Sequence, residues 1–290
     1  MSEIIASLSE ISDRYDALFV DLWGCVHDGL HAYEAANEAL IAYRKAGGKV
    51  VLVTNSPKPR TGVEKQLLHF GVSKDAWDSI ATSGDSARAA MFQGAVGEKV
   101  YFIGEPRDTP FFEPLSILES PLAIERVPLF DAEGIVCTGP FDPKAEPSEM
   151  RSALLFAKQK GLKLLCANPD IVVDRGHERE WCAGALAQLY TEMGGQSLYF
   201  GKPYPPIYDL ALRHLAVLDS NIGKERILAL GDGIQTDIKG ATSEDIDSLF
   251  ITGGLAAALT KTKDQPNKAA LEAFLGEEKQ NPTYSIGFLR

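Results

Sequence analysis

The 290-residue chain carries a formal net charge of −11, with 45% hydrophobic and 24% charged residues. This is the composition of an ordinary globular protein long enough for two domains, and its acidity argues against nucleic acid or an anionic membrane as partner. No stretch reaches the roughly 20 apolar residues of a membrane span, and the first ten residues lack the basic and apolar regions of a signal peptide, so a cytoplasmic location is expected.

Residues 3–14 read as a short amphipathic helix leading into an apolar strand, Ala17–Val20. That strand ends at Asp21 and turns through Gly24, which puts one carboxylate where open α/β folds hold their ligands. A helix over 33–46 stops at Gly47-Gly48, and the β-branched run Lys49–Thr54 is a second strand. A helix over 60–70, a strand at Ser79–Thr82 and a helix over 85–92 continue the alternation, which calls for a parallel sheet with right-handed crossovers.

From about Gly94 the texture changes. Strands at Lys99–Ile103, Gly134–Thr138 and Leu162–Ala167, a Pro-rich stretch between the first two, and helices over 147–160 and 180–193 form a second α/β unit. The expected division is a core of 1–94 with 200–290 and an inserted domain of 95–199. Core texture then returns: strand 197–200, Gly201-Lys202-Pro203, helix 206–217, strand Arg226–Leu230, Gly231-Asp232-Gly233, helix 235–242 and strand 247–252. The tail from Leu255 reads as helical and polar. Cys25, Cys137, Cys166 and Cys182 are widely spaced without a Cys-x-x-Cys pair, and read as reduced, mostly buried thiols, not a disulfide frame or zinc site.

Strand ends thus carry Asp21, Thr54-Asn55, Lys202, and Asp232 with Asp237. Phosphoryl transfer needs a nucleophile, a cation, a metal and donors that hold the phosphoryl oxygens. Mg²⁺ suits paired carboxylates completed by water and phosphate oxygens.

Four motifs in order, Asp21-Leu-Trp-Gly24, Leu52-Val-Thr-Asn-Ser56, Gly201-Lys-Pro203 and Gly231-Asp-Gly-Ile-Gln-Thr-Asp237, resemble those of the haloacid dehalogenase superfamily. The inserted α/β unit, with Ala167-Asn-Pro-Asp170 and Cys182-Ala-Gly-Ala-Leu186, resembles the cap of its class IIA, NagD-like branch. The resemblance implies a Rossmann-like α/β core with a class IIA cap, and Mg²⁺-dependent hydrolysis of a small phosphorylated metabolite through an aspartyl-phosphate. It gives Asp21 as nucleophile and metal ligand, Thr54 with Asn55 on the phosphoryl oxygens, and Lys202 as the neutralising cation. Asp232 and the Trp23 backbone carbonyl would ligate the metal, and Asp237 would orient its waters or Lys202. Ser56, Asn168, Asp170, Arg175 and His177 are candidate substrate contacts, and a homodimer through the cap is implied.

One position departs from the family. Its phosphatases read Asp-x-Asp in the first motif, the second Asp being general acid and base, and here that residue is Trp23. An indole N–H does not titrate in the useful range, and acid–base help is typically worth about 10²–10⁴-fold, roughly 3–5 kcal/mol. Three readings follow: a substrate with a good leaving group, a substitute such as His27 or Asp28 on the same loop, or a phosphometabolite-binding protein with little or no turnover.

Overall fold

The computed structural model describes residues 2–115, 120–175 and 178–290. Strands β1 (Glu3–Ile4), β2 (Ala17–Val20), β3 (Lys49–Thr54) and β4 (Ser79–Thr82) come first. Next are β5 (Lys99–Ile103), β6 (Glu125–Arg126), β7 (Gly134–Cys137), β8 (Lys163–Cys166), β9 (Val172–Arg175), β10 (Glu178–Trp181) and β11 (Gln196–Tyr199). The last are β12 (Ile227–Gly231), β13 (Asp247–Ile251) and β14 (Tyr284–Ile286). Helices α1 (Glu34–Lys45), α2 (Arg60–Phe70), α3 (Ser83–Phe92) and α4 (Arg151–Gln159) alternate with them, as do α5 (Ala183–Glu192), α6 (Pro205–Leu218), α7 (Lys239–Ser243) and α8 (Lys268–Glu278). The α/β class expected from the sequence is the one found.

Two units account for the chain. The first comprises Met1–Thr54, Glu64–Ala81 and Tyr208–Arg290. Its seven-stranded sheet runs β1-β14-β13-β12-β2-β3-β4. The pairings of β2 with β12 and with β3 are parallel, with Val20 opposite both Leu230 and Leu52. Every residue of β2 and β12 is buried, which is why both read as unbroken apolar runs. The chain leaves β2 for β3 on one side, while β12 lies on the other, so the carboxyl end of β2 is a topological switch point.

The second unit comprises Asn55–Val63 and Thr82–Ile207. Its five-stranded sheet runs β11-β8-β7-β5-β6, with parallel pairings throughout. Alternation splits its core into two layers. Ile135, Cys137, Leu164 and Cys166 meet α4 and α5 through Leu154, Leu186 and Tyr190, whereas Val136 and Leu165 meet Ala87, Met91 and Phe92 of α3. The expected inserted domain, 95–199, lies wholly inside this unit, which also takes in flanking residues on both sides.

Three expectations need correction. Residues 3–14 are not an amphipathic α-helix: Glu3–Ile4 is a strand, followed by 3₁₀ turns at Leu8–Glu10 and Ser12–Arg14. Ile5, Leu8 and Ile11 are buried at a spacing of three, the 3₁₀ period and not 3.6. The helix expected from Glu180 begins at Ala183, because Glu178–Trp181 pairs antiparallel with Val172–Arg175 as a separate two-stranded ribbon. The tail is not merely helical: beyond α8 it supplies β14, a buried strand inside the central sheet.

Candidate active site

The first unit gathers its polar residues at the ends of β2, β3 and β12. Asp21 follows β2, its backbone N–H donating to the Leu230 carbonyl at 2.9 Å. Asp232 follows β12 and Thr54 ends β3, and all three side chains are buried. One oxygen from each of Asp21 and Asp232, together with Cys25 Sγ, lie within 4.8 Å of one another.

Asp232 is gripped by backbone. Leu255 N–H donates to its Oδ2 at 3.0 Å. A Cβ on Gly24 would come within 2.3 Å of that oxygen and one on Gly254 within 2.0 Å, so both positions need glycine; Gly24 also has φ +74°. Two carboxylates this close repel in a buried setting, and a divalent cation relieves the repulsion. Hard oxygen donors on rigid strand ends fit Mg²⁺. Cys25 and the Gly253-Gly254 turn were not singled out from the sequence as parts of this site; the Gly-Gly pair after an apolar strand was the available signal.

Asp237 has a different task. It lies on a π-helical turn, Ile234–Ile238, and its Oδ2 accepts from Gly233 N–H at 3.1 Å and from the Thr236 hydroxyl at 3.3 Å. A Cβ at Gly231 would lie 2.1 Å from its Cγ, so glycine there lets the carboxylate close over the loop carrying Asp232.

The loop after Asp21 offers poor substitutes for the missing acid. Asp28 is exposed and accepts from Leu30 N–H and His31 N–H at 2.8 and 2.7 Å, and these backbone bonds, the His31 one first, hold its carboxyl below the usual range. His27 is buried, and its Nδ1 accepts from Gly29 N–H at 3.0 Å. Its ring lies against Phe70 and, edge-on, against the half-buried Trp23, with centroids 5.0 and 5.4 Å apart. The indole in turn covers Gly29, where a Cβ would meet it at 2.3 Å. Burial pushes the imidazole down to about 4, offset only in part by Asp28.

That depression has a measurable sign. Above pH 6.5 neither folded nor unfolded chain protonates His27. As pH falls from 6.5 towards about 4 the unfolded chain takes up the proton first, and stability is lost at up to about 1.4 kcal/mol per pH unit. Urea melts across this range are expected to show that slope, and His27→Asn, which keeps an acceptor near the Nδ1 position, to reduce it. An equal slope in both proteins would assign it to other groups.

Within the second unit, Lys202 is buried in the turn after β11. Asn55 fixes that turn, its Oδ1 accepting from Lys202 N–H at 2.7 Å and its Nδ2 donating to the Lys202 carbonyl at 3.1 Å. The same amide donates to Asp170 Oδ1 at 2.8 Å, and Asn168 Oδ1 accepts from Asp170 N–H at 3.0 Å. Asn55, Asn168, Asp170 and Lys202 are therefore one network, in which Asn55 acts on the lysine's backbone. Ser56 Oγ accepts from Lys58 N–H at 3.3 Å. Arg175 closes β9, and His177 lies outside the described residues.

Comparison with known proteins decides the family. A family model described as haloacid dehalogenase-like hydrolase matches residues 18–116, and a second, HAD-hydrolase-like, matches 199–274. A solved hydrolase of the haloacid dehalogenase-like family from Brucella suis 1330 is 37% identical, aligned over 99% of this chain and all of that one, with a TM-score of 0.86. The chain belongs to the haloacid dehalogenase-like hydrolase family. As a member of it, the protein is a hydrolase. Human glycerol-3-phosphate phosphatase is 28% identical over 260 residues, 82% of this chain and 79% of that protein. The glycerol phosphate phosphatase of Mycobacterium tuberculosis, solved in complex with magnesium, shares the fold at 23% identity and a TM-score of 0.68, over 95% of this chain and 76% of that one. Among the described residues, no helix of this family member is long and apolar enough to cross a membrane.

Proposed function

We propose that this hydrolase is a Mg²⁺-dependent phosphatase of the class IIA branch, acting on a small phosphorylated metabolite through an aspartyl-phosphate on Asp21. The observation that carries the reading is the convergence of the Asp21 and Asp232 carboxylates at the ends of adjacent parallel strands in a chain of this family. Asp21, Asp232 and the Trp23 backbone carbonyl would hold the ion. When bound, it supplies positive charge for the phosphoryl oxygens and the nucleophile. The Asp21 carboxylate forms the new bond to phosphorus as the bond to the leaving oxygen breaks, and water then opens the acyl phosphate.

Thr54 donates to the phosphoryl oxygens, Lys202 neutralises their charge, and Asn55 and Asp237 keep the lysine turn and the Asp232 loop in place. Ser56, Asn168, Asp170, Arg175 and His177 are carried forward as substrate contacts. The division into a core of 1–94 with 200–290 and a cap of 95–199, a homodimer through that cap and a cytoplasmic location belong to the same proposal.

The name of the human relative supports a polyol phosphate such as glycerol 3-phosphate as substrate class. Trp23 and the buried neutral His27 favour leaving groups that depart without protonation. The same observation supports the second reading, a phosphometabolite-binding protein with little turnover. A phosphate-release screen over glycerol 3-phosphate, sugar phosphates, acetyl phosphate and 4-nitrophenyl phosphate separates them. Mg²⁺-dependent release is expected, lost with EDTA and faster for acetyl and 4-nitrophenyl phosphate. No release from any of these, with a phosphorylated ligand still raising the melting temperature, would leave the binding reading.

A further inference from the structure

We infer that the carboxylate site also takes a soft divalent ion of the Zn²⁺ or Cd²⁺ class, with Cys25 as the ligand that selects it. The inference deepens the proposed function and rests on its metal site. Cys25 is 1% exposed, stands four residues after Asp21 and is turned inwards by the left-handed Gly24. Its Sγ lies within 4.8 Å of the Asp21 and Asp232 oxygens, and those oxygens within 4.8 Å of each other. A tetrahedral zinc ion with bonds of about 2.0–2.3 Å holds its donors about 3.3–3.8 Å apart, so side chains spread over up to 4.8 Å close by about an ångström to share one ion. The same loop has room for that, since Gly24 and Cys25 border a cavity of about 350 Å³ whose other walls include Tyr33, Glu34 and Phe288.

The chemistry separates this ligand set from a purely hard one. Magnesium uses oxygen and gains nothing from sulfur, whereas thiolate favours Zn²⁺ and its softer neighbours. On binding, the Cys25 thiol proton leaves to solvent as the sulfur–metal bond forms, so no oxidant is involved. Among the described residues, this is the one group of three or more His, Cys, Asp or Glu side chains close enough to hold an ion. The other three cysteines are also buried, and burial pushes the Cys137 thiol up to about 12 and those of Cys166 and Cys182 well above their ordinary value. The soft ion and magnesium share Asp21 and Asp232 and exclude each other.

The test titrates Cd²⁺ into the reduced, magnesium-free protein and reads the ultraviolet sulfur-to-cadmium charge-transfer band, which lies at shorter wavelength than the aromatic bands. The wild type is expected to develop the band and saturate at one ion per chain. Cys25→Val is expected to lose it and bind Cd²⁺ at least about tenfold more weakly, since even outer hydrogen-bond partners of metal ligands cost about 10–100-fold. Asp232→Asn, which keeps the thiol and nearly the shape, is expected to weaken the band's titration by a similar factor, and it decides the matter if the valine variant does not fold. No band in the wild type, a band that survives Cys25→Val, or one indifferent to Asp232→Asn would each overturn the inference. Phosphate release with Mg²⁺ and no cadmium is measured separately: its absence would remove the phosphatase reading without altering the cadmium result.

Discussion

Asp21→Asn is expected to lower Mg²⁺-dependent phosphate release by about 10⁴-fold or more, the scale on which loss of a covalent nucleophile acts. The amide keeps the side chain's size but cannot form the acyl phosphate. Its effect on folding has the opposite sign to most buried substitutions. Asp21 and Asp232 approach each other within 4.8 Å, and neutralising one of two buried like charges removes repulsion. Without divalent ions the variant should therefore melt no lower than the wild type, while Mg²⁺ raises its melting temperature less. Single-turnover release and thermal melts with and without Mg²⁺ measure both halves. Activity within tenfold of wild type would exclude Asp21 as nucleophile.

Trp23→Asp is the change expected to raise activity. If the absent acid limits the reaction, a carboxyl two residues after the nucleophile should speed phosphomonoester hydrolysis by about 10²-fold. The gain should be smaller for acetyl phosphate, whose leaving group needs no proton. Stability should fall at the same time. The indole packs on Gly29 and on the His27 ring, and removing a half-buried Trp costs about 2–3 kcal/mol, somewhat below the range for a fully buried one. The ratio of kcat on glycerol 3-phosphate to kcat on acetyl phosphate is the decisive measurement, because general loss of structure lowers both together. An unchanged ratio would show that proton transfer at this position is not what limits the reaction.

The legible parts of this fold are those where burial covers both faces of a strand. β2, β3 and β12 are unbroken apolar runs ending in Asp21, Thr54 and the Gly231-Asp232-Gly233 turn, so both strand and polar terminus could be read directly. Strand β14 could not, since three residues are too few to show a period, and its partner β1 lies at the other end of the chain. The convergence of Cys25 on two carboxylates was hidden for another reason: a left-handed glycine between Asp21 and Cys25 breaks any regular spacing. Nor does sequence reveal that the Asn55 amide holds a lysine turn 147 positions away. The burial of His27 was hidden as well, because no local pattern announces that Phe70 covers it.

The placement of β14 between β1 and β13 bears on how quickly the molecule can assemble. Ser2 and Ser285 join hydroxyls at 2.7 Å across 283 positions of chain, and Glu3 pairs with Tyr284. Pairings of such high contact order slow folding far more than they cost stability, since each doubling of a closed loop adds only about 0.6 kcal/mol. Edge strand β1 thus closes the longest loop of the sheet, and until it docks, β14 presents an unpaired border on which a nascent or refolding chain is open to aggregation.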